Sequence, residues 1–337
     1  MQGNAIHIAS TGSHLPGQPV DNARLEELFG IRAEWIDAAL GIQSRHLGID
    51  IETRSAFTTT AEMGAKAGLH ALDRAQMRPE DVDLLILTTN SPDRLTPATV
   101  TYTQEHLGIQ SCTALQLHGG CSTPIQGLIT ALQFLQTGMV ETALIVGSEM
   151  LSVYSNFDGN LNAMDRVNTA LFGDGAGALL LTTRPVGTPA RILATHCTSL
   201  GTGRPAGLSS VPLADMMLKG KRIGFEHNYK AVRKEGPQFM VDGVHALLEK
   251  VGLPLDEVKL IPNQSSPHMI SLIAELLEAD RERIFVDCYR TGNTNAASAL
   301  IAMDKAITSG WVQPGENAIL ISMCVSKWLY AGVGLAL

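Results

Sequence analysis

The chain has 337 residues, 45% of them hydrophobic and 17% charged, with a net charge of −8. That length and apolar share fit a large buried core, in two domains or in one duplicated unit. The negative balance and the lack of a basic run argue against a nucleic-acid or membrane-surface partner.

The opening stretch, MQGNAIHIASTGSHLPG, has no basic start ahead of a long apolar run, so no signal peptide is expected. No apolar run approaches the roughly 20 residues of a membrane span. In chain order, short apolar runs predict strands at 5–10, 83–89, 113–119, 142–148, 177–183, 191–196, 258–263, 283–287 and 318–323. Helical patterns lie at 57–73, 97–107, 122–137, 239–251, 266–278 and 294–309. Strands alternating with helices predict an α/β protein with parallel or mixed sheets. The strand runs are continuous rather than alternating, as expected when both faces are buried. The two halves repeat this outline, with a boundary expected after residue 185 that divides the chain into 1–185 and 186–337. The stretch 200–236, rich in Gly, Pro and Lys, reads as a surface insertion.

The five cysteines, Cys112, Cys121, Cys197, Cys288 and Cys324, are scattered and form no CxxC pair. This excludes a disulfide framework or structural zinc site as the expected use and fits a reducing cytosol. Cys121 alone has a suggestive context, in LQLHGGCSTPIQGL. It follows Gly119 and Gly120 at a strand–helix junction. A thiol at a helix N-terminus is expected to have a lowered pKa, and a strand–turn–helix elbow presents a nucleophile. The other reading is a small buried residue filling the turn. The remaining cysteines read as core residues.

Several segments resemble the β-ketoacyl-acyl carrier protein synthase III family of thiolase-like condensing enzymes. These are EWIDAALGIQSRH, LHGGCSTPIQGLITAL, TALIVGSEMLS, ALFGDGAGALLL, IPNQSSPHMI and GNTNAAS, in the family's order. The resemblance implies a five-layer αβαβα fold from two duplicated halves and a homodimer. It implies acyl transfer from a coenzyme A or carrier-protein thioester to Cys121, with no cofactor. It also implies a Cys–His–Asn site. Cys121 and Asn293 match two members, but Asn263 stands where the family has histidine. An asparagine amide can donate to an oxyanion but cannot take a proton.

Further departures follow. The family's glycine loop, whose backbone N–H completes the oxyanion hole with that of the cysteine, reads SMCVSKWLYAGVG here, so Val325 or Ser326 would supply the donor. Ala39 replaces a nucleotide-facing arginine, while Trp35 remains to stack on an adenine or to pack an interface. Thr96, before Pro97, replaces a bulky residue against the partner's acyl pocket. His268 is expected near the carrier-protein entrance. His118, three residues before Cys121, faces either the site or the core. FGDGAG lacks GxGxxG spacing and reads as a tight turn between sheets rather than a phosphate loop. Two functions remain open: a cytoplasmic acyl-condensing or acyl-transfer enzyme of a specialised pathway, or a catalytically impaired subunit or scaffold in a hetero-oligomer.

Overall fold

In a computed structural model the described residues are 5–157, 160–185, 190–221 and 223–337. Nine strands form the main sheet: β1 (His7–His14), β2 (Leu84–Thr88), β3 (Thr113–Leu117), β4 (Thr142–Glu149), β5 (Gly175–Thr182), β6 (Ala190–Ser199), β7 (Val258–Pro262), β8 (Asn317–Cys324) and β9 (Leu329–Ala336). The helices of the first half are α1 (Asn22–Phe29), α2 (Ala33–Leu40), α3 (Thr60–Arg74), α4 (Thr99–Leu107), α5 (Thr123–Gln136) and α6 (Ala163–Leu171). Those of the second are α7 (Leu213–Lys219), α8 (Tyr229–Val251), α9 (Pro267–Leu276), α10 (Cys288–Thr291) and α11 (Ser298–Thr308).

The strand order is β7-β8-β9-β6-β1-β5-β4-β2-β3. In the first half β2 runs parallel to β3 and β4, and β5 and β1 follow antiparallel. The second half repeats this: β7 is parallel to β8, and β9 and β6 follow antiparallel. Between the halves, β1 and β6 pair only at His7↔Arg191 and Ile8↔Ala190. The expected boundary after residue 185 abuts residues 186–189, which lie outside the described residues.

Side-chain alternation sorts the core into layers. Leu85, Leu87, Leu144 and Val146 face the outer helices α3 and α4, whereas Leu84, Ile86 and Ile145 face inward. The inner cluster joins α5 (Ile125, Leu128) and α11 (Leu300, Met303) to both sets of strands. A third cluster holds α8 and α9 against β7, β8 and β9. Helix, sheet, helix, sheet and helix layers therefore follow one another, as the resemblance implies.

Several expectations change. Residues 283–287 form no strand: only Ile284 bridges to Leu260. The Gln264 side chain takes over there, donating to the Pro262 and Phe285 carbonyls and accepting from the Asp287 and Cys288 N–H groups. Helix α8 begins ten residues before its expected start at 239 and runs through Pro237. The described part of the 200–236 stretch is mostly exposed, as a surface insertion should be, but it is tied to the body of the fold at two points. Gly207 N–H donates to the Val325 carbonyl, and the Phe225 ring lies 5.5 Å from that of Phe172.

Candidate active site

The elbow is built by backbone constraint. β3 ends at Leu117 and α5 begins at Thr123. Gly120 has φ 84°, and a Cβ there would lie 2.1 Å from the Cys324 sulfur, so conformation and space both exclude a side chain. Gly120 N–H donates to Asn90 Oδ1 (2.9 Å), and Ser322 Oγ donates to the Cys121 carbonyl (2.7 Å). These bonds fix the peptide on both sides of Cys121. Cys121 itself is half-buried, and its thiol donates to Asn295 Oδ1 at 3.0 Å.

Two buried amides are held alike. Asn263 Oδ1 accepts the Met323 N–H (3.0 Å), and Asn293 Oδ1 accepts the Asn295 N–H (2.9 Å). Each bond fixes the amide so that Nδ2 is the remaining donor, and neither Nδ2 has a protein partner among the described residues. FGDGAG helps to place Asn293. The Asn293 N–H donates to the Leu171 carbonyl, and Gly173 N–H donates back to the Asn293 carbonyl. A Cβ on Gly173 would sit 2.1 Å from the Thr291 carbonyl oxygen, so the close approach needs glycine. Asp174, pushed up to about 6 by burial, anchors the turn through Ser152 and the Gly48 N–H. Asn293 is linked to Cys121 through Asn295, whose N–H it accepts and whose Oδ1 takes the thiol.

The electrostatics correct one expectation. The Cys121 thiol is not acidified at rest: its hydrogen bond with Cys324, then burial, raise its pKa well above the ordinary value. The neighbouring Cys324 thiol is lowered to about 6, first by its interaction with Cys121 and further by the Ser326 hydroxyl at 2.6 Å. Cys324, read from the sequence as a core residue, therefore lies against the elbow, where its sulfur fills the space beside Gly120. The sequence marks its segment as the counterpart of the family's glycine loop but not the thiol itself, because the approach joins the end of β8 to an elbow about two hundred residues away. Glu149 is a second residue the sequence left unmarked. It is buried at the end of β4 and pushed up to about 7 by that burial. It accepts from Asn90 N–H, Asn90 Nδ2 and Ser91 Oγ.

The other predicted residues lie apart. His118 is exposed on the turn. His268 is exposed in the first turn of α9, and its Nε2 donates to the Asp37 carbonyl at 3.3 Å, turning it toward α2. No imidazole hydrogen-bonds to Cys121 among the described residues. Thr96 is exposed on the loop before α4. Trp35 lines a separate cavity of about 340 Å³ with Gly30, Arg32, Arg166 and Val167. Val325 and Ser326 follow β8, and the Ser326 hydroxyl lies 2.6 Å from the Cys324 sulfur. No group of three His, Cys, Asp or Glu residues that could hold a metal occurs among the described residues. No described helix is long and apolar enough to cross a membrane.

Residues 115–201 match the family model of 3-oxoacyl-[acyl-carrier-protein (ACP)] synthase III, and residues 248–326 match the model of its C-terminal part. The β-ketoacyl-[acyl-carrier-protein] synthase III of Clostridioides difficile is 31% identical over 322 residues, covering 93% of each chain. That of Methylococcus capsulatus is 33% identical over 321 residues, again covering 93% of each. Among solved structures, AbyA1, described as a tetronic acid condensing enzyme, superposes with a TM-score of 0.90 at 31% identity over 98% of this chain and 99% of that one. The Aquifex aeolicus 3-oxoacyl-[acyl-carrier-protein] synthase III gives 0.86 at 29% identity over 98% and 100%. A layered fold, a thiol at a glycine elbow and relatives matched end to end agree: the chain belongs to the 3-oxoacyl-[acyl-carrier-protein] synthase III family of acyl-condensing and acyl-transferring enzymes.

Proposed function

We propose that Cys121 accepts an acyl group from a coenzyme A or carrier-protein thioester and passes it to a malonyl-type thioester in a decarboxylative Claisen condensation, with Asn263 and Asn293 as the enolate donors. The carrying observation is the matched pinning of the two amides, each with its oxygen on a backbone N–H and its NH2 left to donate. Loss of CO2 from a malonyl thioester asks for stabilisation of the enolate oxygen and for no base. Two neutral donors suit that step. Transfer to a hydroxyl or amine would need a group to take the nucleophile's proton, and neither amide can do so. The likeness to AbyA1 supports a specialised rather than a chain-initiating role.

The Trp35 cavity, with Arg32 and Arg166, fits the nucleotide end of coenzyme A: a ring to stack on and two cations for phosphate. The chemistry needs no cofactor beyond the thioester substrates. The half-exposed edge strand β3 supports a homodimer paired along that edge; a cytoplasmic location is part of the same reading. The scaffold reading is disfavoured by the intact elbow and its hydrogen-bonded thiol.

Incubation with acyl-coenzyme A and acyl-carrier thioesters, followed by intact-mass and peptide analysis, tests the first step. A single acyl adduct on Cys121 is expected. Subsequent malonyl thioester should discharge it with release of CO2. No adduct with any donor would return the chain to the scaffold reading.

A further inference from the structure

Asn295 sits where the Cys121 thiol points. Its Oδ1 accepts the S–H at 3.0 Å, and only 4% of the residue is exposed. Its backbone has φ 46°, in the left-handed region, where asparagine is among the few side chains tolerated. The neighbouring groups settle which end of the amide faces the sulfur. Asn90 Oδ1 accepts the Gly120 N–H at 2.9 Å, and Asn90 Nδ2 donates to Glu149 Oε1 at 2.6 Å, so the Asn90 amide has one orientation. Asn90 Nδ2 also lies 3.5 Å from Asn295 Oδ1. A turned Asn295 amide would set NH2 against NH2 there. The Asn295 N–H in turn donates to Asn293 Oδ1 at 2.9 Å, which fixes the residue from its other side.

An amide oxygen only accepts. Facing the sulfur, it binds the neutral thiol and disfavours the thiolate. A hydrogen committed to Oδ1 also fixes the rotation about Cβ–Sγ, so the sulfur lone pairs face away from Asn295. The titratable groups that act on Cys121 are Cys324, at the end of β8, and Glu149, at the end of β4. Both are otherwise engaged: the Cys324 sulfur lies 2.6 Å from the Ser326 hydroxyl, and Glu149 accepts from Asn90 and Ser91. We propose that Asn295 is the positioning residue of the nucleophile, its side-chain oxygen holding Cys121 as a neutral thiol with the hydrogen turned aside and the lone pairs aimed at the substrate. The inference rests on the acyl-transfer reading and deepens it by naming what orients the sulfur. It separates two properties that usually move together, since the contact lowers general reactivity while it improves alignment.

Two variants of the full-length protein test this. Asn295→Gly removes the oxygen and suits the positive φ, whereas Asn295→Asp keeps the oxygen and adds charge. In Asn295→Gly the pH limb of Cys121 alkylation by iodoacetamide should move down by about 0.5–1 unit, roughly a three- to tenfold gain in rate below the limb. In Asn295→Asp it should move up. Acylation of Cys121 by an acyl thioester at pH 7 should nevertheless fall by about tenfold or more in Asn295→Gly, because lost alignment outweighs the larger thiolate fraction. In the wild type, the infrared S–H stretch that disappears in Cys121→Ala should lie at a hydrogen-bonded frequency, a readout that needs no change at Asn295. Melting curves identify a variant that has not folded. A free-thiol frequency in the wild type overturns the assignment. So does an unmoved limb in either folded variant. Acylation that rises in step with alkylation in Asn295→Gly also overturns it, because Asn295 would then only restrain the thiol. Alkylation requires no acyl donor, so shifted limbs without an acyl adduct in any of the proteins would overturn the acyl-transfer reading instead.

Discussion

The two halves share a strand pattern but prepare their inner helices differently. In the first, β3 pairs along its full length with β2, and a glycine turn then delivers Cys121 to the start of α5. In the second, the equivalent strand shrinks to the single bridge Leu260↔Ile284. α10 and the Asn293–Asn295 segment fill the gap before α11. The difference suits the roles proposed for the two halves. A nucleophile attacks along one line, so its backbone is held by a paired strand and by hydrogen bonds on both sides of the elbow. A donor amide needs only its oxygen fixed, and one backbone N–H does that. The second half therefore tolerates an irregular approach, tied together by the Gln264 amide and by the Lys305–Asp287 ion pair at 2.6 Å.

This division of labour can be broken most severely at the nucleophile. Cys121→Ala should abolish the acyl adduct and lower turnover by about 10⁴-fold or more, read by intact mass and product formation. Next come the amides. Asn263→Ala should slow condensation by about 10²–10³-fold while leaving the Cys121 adduct intact. If acylation fell equally, the halves would not divide the two steps.

Glu149 links the halves through Asn90, which holds both Gly120 and, at 3.5 Å, Asn295. Its folded value of about 7 lies above the ordinary 4.5, so the native state holds an extra proton between them. Stability from this group is complete below about 4.5 and declines as pH rises to about 7. Glu149→Gln should remove that slope, shifting the variant–wild-type gap in its favour by on the order of 3 kcal/mol across the window, read by denaturant melts. Asp174 acts in the same direction in both proteins and cancels.

A smaller effect is expected at the elbow. Gly120→Ala should destabilise by about 2 kcal/mol through its positive φ and the Cys324 contact, and Cys324→Ala should relieve part of this in the double variant. Smallest, Trp35→Ala should weaken coenzyme A binding by about 1 kcal/mol, the low end for base stacking, with no change in Cys121 alkylation.

The sequence discloses the layers where local pattern and burial agree. The runs at 83–89, 142–148 and 318–323 are strands because each is apolar on both faces. β9 is less legible, since Gly332 and Gly334 interrupt its apolar run at positions where Leu247 and Val251 of α8 pack closely. Helices α1 and α6 hide in short polar stretches whose caps, Asp21 and Asn162, become visible only with the N–H groups they accept from. At the site, Cys121 and Asn293 stand out through their motifs. The raised pKa of Cys121 does not, because it depends on Cys324 and Glu149, which are brought close only by folding.

The inner helices α5 and α11 are walled by a sheet on either side. A close-packed layer of that kind gives little when a side chain grows or shrinks, and the strain would reach both the thiol and the amides. Changes of side-chain size are absorbed more easily at exposed segments such as the loop before α4.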